Sequence, residues 1–207
     1  MKRIKALIFD LGNVIFEFSF DRCFQYWAMA SGKSFDEIKE NFKFDEVFNQ
    51  FERNDITPAE FQKQISSHLR INLSDAEFDN GWCNLYMDVF PGIDELLTGL
   101  KNKYRLIALS NTNIIHQKEW KIKYANILKH FETIFSSHEL HSRKPEPGIY
   151  YAVLEKLKLK PHEVIFLDDM PENTAGANVL GIKTILVKSP EQMIKDLEGM
   201  VGNVKGF

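Results

Sequence analysis

Five short runs of mostly apolar, often branched residues constrain the fold more than any other feature of the sequence. They occupy residues 4–9, 106–109, 133–135, 164–167 and 184–187. Apolar runs of this length are typical of strands buried on both faces, as in a parallel sheet covered by helices. Segments with helical periodicity separate the later runs. From about residue 91 to the end, the alternation of strand and helix therefore predicts an open parallel α/β sheet.

Two of the intervening segments have a clear helical repeat. The apolar faces comprise Ile149, Val153, Leu154 and Leu157 in one segment, and Ala175, Val179 and Leu180, before Gly181, in the other. Because a helix turns once in about 3.6 residues, each set is expected to lie on one face and to pack on the sheet. Gly181 is a plausible end of the second helix.

Residues 16–89 interrupt this alternation, because they are rich in phenylalanine and contain no convincing strand. Thr57-Pro58-Ala59-Glu60 and Ser74-Asp75-Ala76-Glu77 both have the pattern of a helix start, in which Thr or Ser caps the helix and Glu reaches back. Apolar stripes follow at Phe61, Ile65 and Leu69, and at Phe78, Trp82 and Leu85. We therefore predict two units: an α/β core of residues 1–15 and 90–207, and an inserted helical domain of residues 16–89.

Composition excludes several classes of function. Lys and Arg number 26 against 29 Asp and Glu, so a net charge of -3 offers no broad basic surface for nucleic acid. No apolar run reaches the roughly 18–20 residues that span a bilayer. The two cysteines, Cys23 and Cys83, fit no metal-binding spacing and indicate unpaired thiols in a reducing cytoplasm. The sequence leaves the oligomeric state open.

Polar residues follow four of the predicted strands. They are Asp10, Ser110-Asn111-Thr112-Asn113, Ser142-Arg143-Lys144-Pro145 and Asp168-Asp169. Ligands of open parallel sheets bind at the carboxyl ends of the strands, so these groups are expected to converge if the strands are neighbours. Each group alone has a simpler interpretation, as a helix cap, a turn or a surface lysine. Their joint occurrence after four separate strands favours a single site.

This set of groups has a chemical logic. Carboxylates that share one crevice repel one another unless a cation joins them, and an all-oxygen site that keeps water ligands suits Mg²⁺. A carboxylate with free access can attack phosphorus. Ser110, Lys144 and backbone amides would then stabilise the charge on the transferring phosphoryl oxygens.

The motifs resemble those of the haloacid dehalogenase-like (HAD) hydrolase superfamily, in its subfamily with an inserted helical cap, and are most similar to the α-D-glucose-1-phosphate phosphatase type. The matching segments are Phe9-Asp10-Leu11-Gly12-Asn13-Val14-Ile15, Leu109-Ser110-Asn111-Thr112-Asn113, Arg143-Lys144-Pro145 and Phe166-Leu167-Asp168-Asp169. Phe51-Glu52-Arg53 and Gly81-Trp82 agree with that type. The resemblance implies a Rossmann-like parallel sheet core with an α-helical cap over the crevice.

The resemblance also implies roles for individual residues. Asp10 would be the nucleophile, and Mg²⁺ would be bound by Asp10, the Gly12 carbonyl oxygen and Asp169, with Asp168 as a second ligand or an outer acceptor. Ser110 and the amide of Asn111 would hold phosphate oxygens, and Lys144 would neutralise both nucleophile and phosphoryl group. The implied function is hydrolysis of small phosphorylated metabolites, such as glucose-1-phosphate, through an aspartyl-phosphate.

Position 12 departs from the family pattern, because most phosphatases of the family have there a second Asp that acts as general acid and base. Such help is typically worth about 10²–10⁴-fold. The substrate could have a good leaving group, Glu52, Arg22 or water could replace the acid, or turnover could be slow or absent. Two other functions stay open: a 2-haloacid dehalogenase, and a silent phosphate-ester-binding protein.

Three histidines near the motifs are weaker candidates. His138 and His141 are three residues apart, but no other His or Cys completes a tetrahedral metal site, so a role in the loop is favoured. His116 follows the second motif and is a candidate for contact with the substrate. Trp27 and Trp82 are as consistent with core packing as with a substrate pocket.

Overall fold

The computed structural model describes residues 3–202, and seven strands lie in that range. They are β1 (Ala6–Phe9), β2 (Phe16–Phe18), β3 (Tyr86–Val89), β4 (Arg105–Ser110), β5 (Thr133–Ser136), β6 (Val164–Asp168) and β7 (Lys183–Leu186). Five of them form one sheet in the order β5-β4-β1-β6-β7. All four pairings in this sheet are parallel. Each of the five apolar runs therefore contributes one strand, as predicted.

Strand register aligns the carboxyl ends of the three central strands. Phe9 of β1 pairs with Ala108 of β4 on one side and with Leu167 of β6 on the other. The next residues along each strand thus reach the same edge of the sheet. This alignment brings Asp10 beside the ends of β4 and β6.

Seven of the described helices follow β3 in the chain and pack around the five-stranded sheet. A short 3₁₀ turn at Pro161–Glu163 leads into β6. In chain order, after five helices in the insertion, the seven helices are α6 (Ile93–Leu100), α7 (Ile114–Lys123), α8 (Ala125–Leu128), α9 (Ser137–Leu140), α10 (Pro147–Leu157), α11 (Pro171–Val179) and α12 (Pro190–Val201). The predicted face of α10 is correct, since Ile149, Val153, Leu154 and Leu157 are all buried.

The predicted face of α11 is wrong. Val179 is 86% exposed, and the buried residues are Asn173, Thr174 and Ala177. The buried face of α11 is polar because it lies beside Asp168, at the end of β6. There Asn173 donates a hydrogen bond to Asp168, so a polar side chain is buried where apolar periodicity would place a hydrophobic one.

The first five helices are α1 (Phe20–Ser31), α2 (Phe35–Asn41), α3 (Glu46–Arg53), α4 (Pro58–Leu69) and α5 (Asp75–Cys83). Both predicted helix starts are present as complete capping boxes, at Thr57 with Glu60 and at Ser74 with Glu77. The helices pack through buried aromatic rings, and Trp27 and Trp82 stack with centroids 5.7 Å apart. Both tryptophans belong to this core.

The insertion does contain strands, so the prediction that it has none is wrong. Its two ends, β2 and β3, pair antiparallel, with Phe16 opposite Val89 and Phe18 opposite Tyr86. These strands are only three and four residues long and come from opposite ends of the insertion. No local turn signal therefore marks them in the sequence. The boundaries of the two predicted domains remain a prediction.

None of the helices in residues 3–202 is both long enough and apolar enough to cross a bilayer.

Candidate active site

The structure brings most of the predicted site residues together at the carboxyl edge of the sheet. Lys144 Nζ lies 2.8 Å from Asp10 Oδ1 and 2.6 Å from Asp168 Oδ2. Carboxylate oxygens of Asp10, Asp168 and Asp169 all lie within 4.8 Å of one another. A cavity of about 620 Å³ opens above them, and Gly12, Ser110 and Asn111 are among its lining residues. Segments far apart in sequence thus share one pocket.

Lys144 is fully buried, with 1% of its surface exposed. Burial alone would lower the pKa of its ammonium group, but the carboxylates of Asp10 and Asp168 outweigh this effect and raise the pKa well above its usual range. The side chain therefore stays charged at any ordinary pH. It places a fixed positive charge beside the candidate nucleophile.

The carboxyl groups of the cluster are destabilised in their charged form. Burial raises the pKa of Asp10 to about 7; Lys144 opposes the rise, and the charges of Asp168 and Asp169 add to it. Burial and Asp168 also raise the pKa of Asp169. One lysine cannot balance three clustered carboxylates, so a divalent cation would relieve their repulsion. The donor set, all oxygen and partly open to the cavity, fits Mg²⁺.

Asp168 and Asp169 differ in how free they are to bind a cation. Asp168 Oδ1 accepts hydrogen bonds of 2.9 Å from the Met170 amide and from Asn173, and its Oδ2 accepts the Lys144 bond. Asp169 is less buried and accepts one long bond of 3.4 Å from Asn13 Nδ2. Asp169 is therefore the freer ligand, and Asp168 is better suited to hold Lys144 and the loop after β6.

The Asn111 side chain bonds the Lys144 backbone rather than facing the cavity as a free ligand for substrate. Its Nδ2 donates to the Lys144 carbonyl oxygen at 2.9 Å, and its Oδ1 accepts from the Lys144 amide at 2.8 Å. This two-point pairing ties the end of β4 to the Lys144 segment. The Asn111 backbone amide and the Ser110 hydroxyl, which makes only a long 3.4 Å contact with the Asn111 carbonyl oxygen, are left for a ligand.

Asn13 and Asn173 are site residues that sequence reasoning did not single out. Asn13 has the left-handed backbone conformation (φ 53°) that asparagine tolerates better than most residues. Its amide donates to the Phe16 carbonyl oxygen at 2.7 Å, and its side chain reaches Asp169. The position of Asn13 in the first motif was the available signal. Asn173 lies on the buried face of α11, and no pattern in the sequence indicated that this face would be polar.

The side wall of the cavity is mostly aromatic. Its Phe, Tyr and Trp rings come from both ends of the insertion, from α3 and the segment before it, and from α7: Phe16, Phe18, Phe20, Phe44, Phe48, Tyr86 and Trp120. Among these, the Phe18 ring lies directly over Gly12. A Cβ atom added to Gly12 would be 2.4 Å from Phe18 Cε1.

Of the two proposed replacements for the missing acid, only Glu52 lies in the cavity wall. Its Oε2 accepts a 2.7 Å hydrogen bond from Arg143 Nε, and the pair joins α3 to the Lys144 segment. Burial raises the pKa of Glu52, and Arg143 opposes this rise. Arg22 is exposed, bonds the Asn84 carbonyl oxygen at 3.0 Å and is not a lining residue.

His116 lines the cavity, but both of its ring nitrogens bond protein groups. Nε2 lies 2.9 Å from the Trp82 carbonyl oxygen and Nδ1 lies 3.1 Å from Asn113 Nδ2. This pattern requires the neutral ring with its proton on Nε2. Burial lowers the pKa of His116 to about 3, in agreement. The ring therefore offers a ligand its surface rather than a free nitrogen.

The His138 and His141 pair does not form a metal site. His138 is buried, while His141 is exposed and its Nδ1 lies 3.1 Å from the Arg53 carbonyl oxygen. Across the described part of the chain, the three aspartates form the one cluster of three or more such ligands.

Comparison with known proteins supports the interpretation of the motifs. The family model described as a haloacid dehalogenase-like hydrolase matches residues 4–181. D-ribitol-5-phosphate phosphatase of Bacteroides thetaiotaomicron is 24% identical over 186 residues, covering 87% of this chain and 90% of that protein. Phosphorylated carbohydrates phosphatase of Thermotoga maritima is 27% identical over 95 residues, 46% of this chain and 44% of that protein.

A solved structure is similar over nearly the whole chain. It is a HAD family enzyme from Bacteroides thetaiotaomicron, the wild-type protein in complex with magnesium and inorganic phosphate. It has a TM-score of 0.78 and 35% sequence identity, and the match covers 90% of this chain and 96% of that chain. The predicted fold class, a Rossmann-like α/β core, is thereby confirmed.

Proposed function

Because the chain belongs to the haloacid dehalogenase-like hydrolase family, we propose that it is a Mg²⁺-dependent phosphatase that hydrolyses small phosphorylated metabolites through an aspartyl-phosphate on Asp10. One observation carries the proposal: a buried lysine, Lys144, within 2.8 Å of the candidate nucleophile, in a cluster of three carboxylates that opens into a cavity. The arrangement supplies an oxygen nucleophile, a cation site and a fixed positive charge in one pocket.

The first step is attack on phosphorus. A carboxylate oxygen of Asp10 forms a bond to phosphorus as the bond from phosphorus to the ester oxygen breaks, and that oxygen leaves as an anion that takes its proton from water. Lys144 remains beside Asp10 and stabilises the negative charge that builds on the phosphoryl oxygens. Ser110 and the Asn111 amide donate hydrogen bonds to those oxygens. A water molecule then attacks phosphorus, the bond to Asp10 breaks, and inorganic phosphate is released.

Mg²⁺ would be held by Asp10, Asp169 and the Gly12 carbonyl oxygen, and it would neutralise phosphate charge. Asp168 would act from outside this shell, because its oxygens already accept three hydrogen bonds. Its bond to Lys144 keeps the lysine in place beside Asp10.

Sugar phosphates are the proposed substrate class. The support is the activity named for the ribitol-phosphate and carbohydrate-phosphate phosphatases to which the chain is similar. The cavity adds aromatic rings, against which the apolar face of a sugar can stack, and polar groups for hydroxyls at Asn49, Glu52 and Arg143. The free Cys23 and Cys83 thiols support a cytoplasmic location, and the net charge of -3 supports a small-molecule partner rather than nucleic acid.

The test is phosphate release by the purified protein from an aryl phosphate and from a panel of metabolite phosphates, with and without Mg²⁺. Asp10→Asn keeps the shape of the side chain but removes the nucleophile, so we expect at least about a 10³-fold loss of kcat. Release that needs no Mg²⁺ and survives in Asp10→Asn would contradict the proposal.

A 2-haloacid dehalogenase is the second candidate, because halide leaves carbon without needing a proton and Gly12 supplies no acid. The pair Asp168 and Asp169 argues against it, since attack on carbon needs no cation. Halide release from a chloroacid without Mg²⁺ decides for this candidate. Phosphate-ester binding without turnover across the panel decides for a silent binding protein.

A further inference from the structure

We infer that Glu52 and Arg53, neighbours on α3, are positioning residues that hold the segment carrying Lys144 in place. This segment comprises residues 141–146 and is called the Lys144 segment. The inference rests on the proposed phosphatase function and goes beyond it. It gives the insertion a part in phosphoryl transfer itself, in addition to its part in the cavity wall.

The first support is a buried ion pair between α3 and the Lys144 segment. Arg143 Nε donates to Glu52 Oε2 at 2.7 Å, and Glu52 is only 6% exposed. A charged hydrogen bond in such a place is strong and costly to break, because breaking it leaves a buried charge without its partner. Arg143 directly precedes Lys144, so the bond restrains the backbone next to the lysine.

The second support is that Arg53 contacts the same segment at two further points. Its Nη1 donates to Glu146 Oε1 at 3.1 Å, and its carbonyl oxygen lies 3.1 Å from His141 Nδ1. Glu146 Oε2 in turn accepts hydrogen bonds from Ser142 Oγ at 3.0 Å and from the Arg143 amide at 3.1 Å. Two consecutive residues of α3 therefore reach both ends of the segment and its middle.

The third support is that the core holds the lysine at its backbone. Asn111 Nδ2 donates to the Lys144 carbonyl oxygen at 2.9 Å, and Asn111 Oδ1 accepts from the Lys144 amide at 2.8 Å. The ammonium group of Lys144 then lies between Asp10 and Asp168. The lysine thus has one anchor in the core and a second in the insertion. Without the α3 contacts, the core anchor alone would orient the ammonium group.

The consequence concerns the rate of the chemical step. A displacement of about 1 Å in the groups that position a reaction can cost about 10²-fold in rate. Lys144 acts on the phosphoryl group, which every substrate shares, so a positioning role affects every substrate. A role in recognising the alcohol would instead affect only substrates whose alcohol reaches α3.

The experiment measures kcat/KM with saturating Mg²⁺ for acetyl phosphate, which offers the wall only a two-carbon group, and for glucose-1-phosphate. In Glu52→Ala we expect at least about a tenfold loss with acetyl phosphate. Any larger loss with glucose-1-phosphate measures direct contact with the sugar. Glu40→Ala, at an exposed position of α2, is the matched control and is expected to stay within about twofold of wild type. Unchanged kcat/KM for acetyl phosphate in folded Glu52→Ala overturns the inference.

Further variants keep the test decisive if Glu52→Ala does not fold. Arg53→Met removes the bond to Glu146, and we expect at least about a threefold loss with acetyl phosphate. A wild-type rate in that variant contradicts the role of Arg53. Glu52→Ala/Arg143→Ala should lose no more than the larger single loss, because both changes break one bond, and losses that multiply contradict the inference. Activity that survives in Asp10→Asn overturns the phosphatase function instead.

Discussion

Lys144 holds the opposing charges of the site in balance. It is buried between Asp10 and Asp168, and the Asn111 side chain fixes its backbone at two points. Sequence reasoning identified Lys144, Asp10 and the aspartate pair as one constellation. It named Asn111 but not the pairing of its side chain with Lys144, and it did not single out Asn13, because both act through contacts between segments remote in the chain.

Lys144→Met tests this balance. The variant leaves two buried carboxylates without their cation, which typically costs about 3–5 kcal/mol in the free energy of unfolding. We also expect kcat for the aryl phosphate to fall at least about 10²-fold. Urea unfolding and phosphate release measure the two effects. Lys195→Met, on the exposed face of α12, is the matched control and is expected to change stability by less than about 0.5 kcal/mol. Equal behaviour of the two variants would contradict the role of Lys144.

Helix α5 shows how packing overrides local preference at the scale of one element. Gly81 lies inside this helix, where alanine is normally favoured by about 1 kcal/mol. A Cβ at Gly81 would lie 2.3 Å from Trp27 Cδ1, and Trp27 is fully buried. The glycine therefore permits the close approach of α1 and α5.

Two glycine substitutions compare these effects. Gly81→Ala is expected to destabilise the protein by about 1–3 kcal/mol, because overpacking outweighs the gain in helix propensity. Gly199→Ala, in α12 with no atom within 4 Å of the added Cβ, is expected to stabilise it by about 0.5–1 kcal/mol. Thermal and urea unfolding of both variants decide the matter. Stabilisation by Gly81→Ala would show that Trp27 moves aside at no cost.

Some helices and strands could be predicted from the sequence and others could not. The five strands of the parallel sheet were predicted within one or two residues, since burial on both faces leaves a strong local signal of consecutive apolar residues. The short β2 and β3 had no such signal, because each depends on a partner strand about 70 residues away in the sequence. The polar buried face of α11 was missed for a related reason: its Asn173 is buried because it donates a hydrogen bond to Asp168 on β6.

At the scale of the whole molecule, His116 joins the insertion to the core. The ring is part of α7, which begins just after β4, and it bonds the Trp82 carbonyl oxygen at the end of α5. It stacks on the Trp82 ring with centroids 4.6 Å apart. Because its pKa is lowered to about 3, the ring stays neutral in the folded protein where it would be protonated in the unfolded chain.

This difference gives a signed prediction. Between about pH 6.5 and 3 the unfolded state binds one more proton at His116, so stability rises with pH and is lost as pH falls. Each pH unit in this window changes the free energy of unfolding by up to about 1.4 kcal/mol through this one group. His116→Gln is expected to remove that share. Urea unfolding of wild type and variant from pH 7 to 4 measures it, and parallel curves would contradict the prediction.

The pairing of β2 with β3 has a consequence for how such a chain can change. Phe16 and Val89 face one another, so the polypeptide departs from the core and returns to it through a single narrow neck. A foreign segment grafted at this neck would leave the register of the five parallel strands, and with it the carboxylate cluster, undisturbed. Exchange of the segment between β2 and β3 would therefore change the part of the cavity wall that this segment contributes and keep the strand ends that carry Asp10 and Asp168.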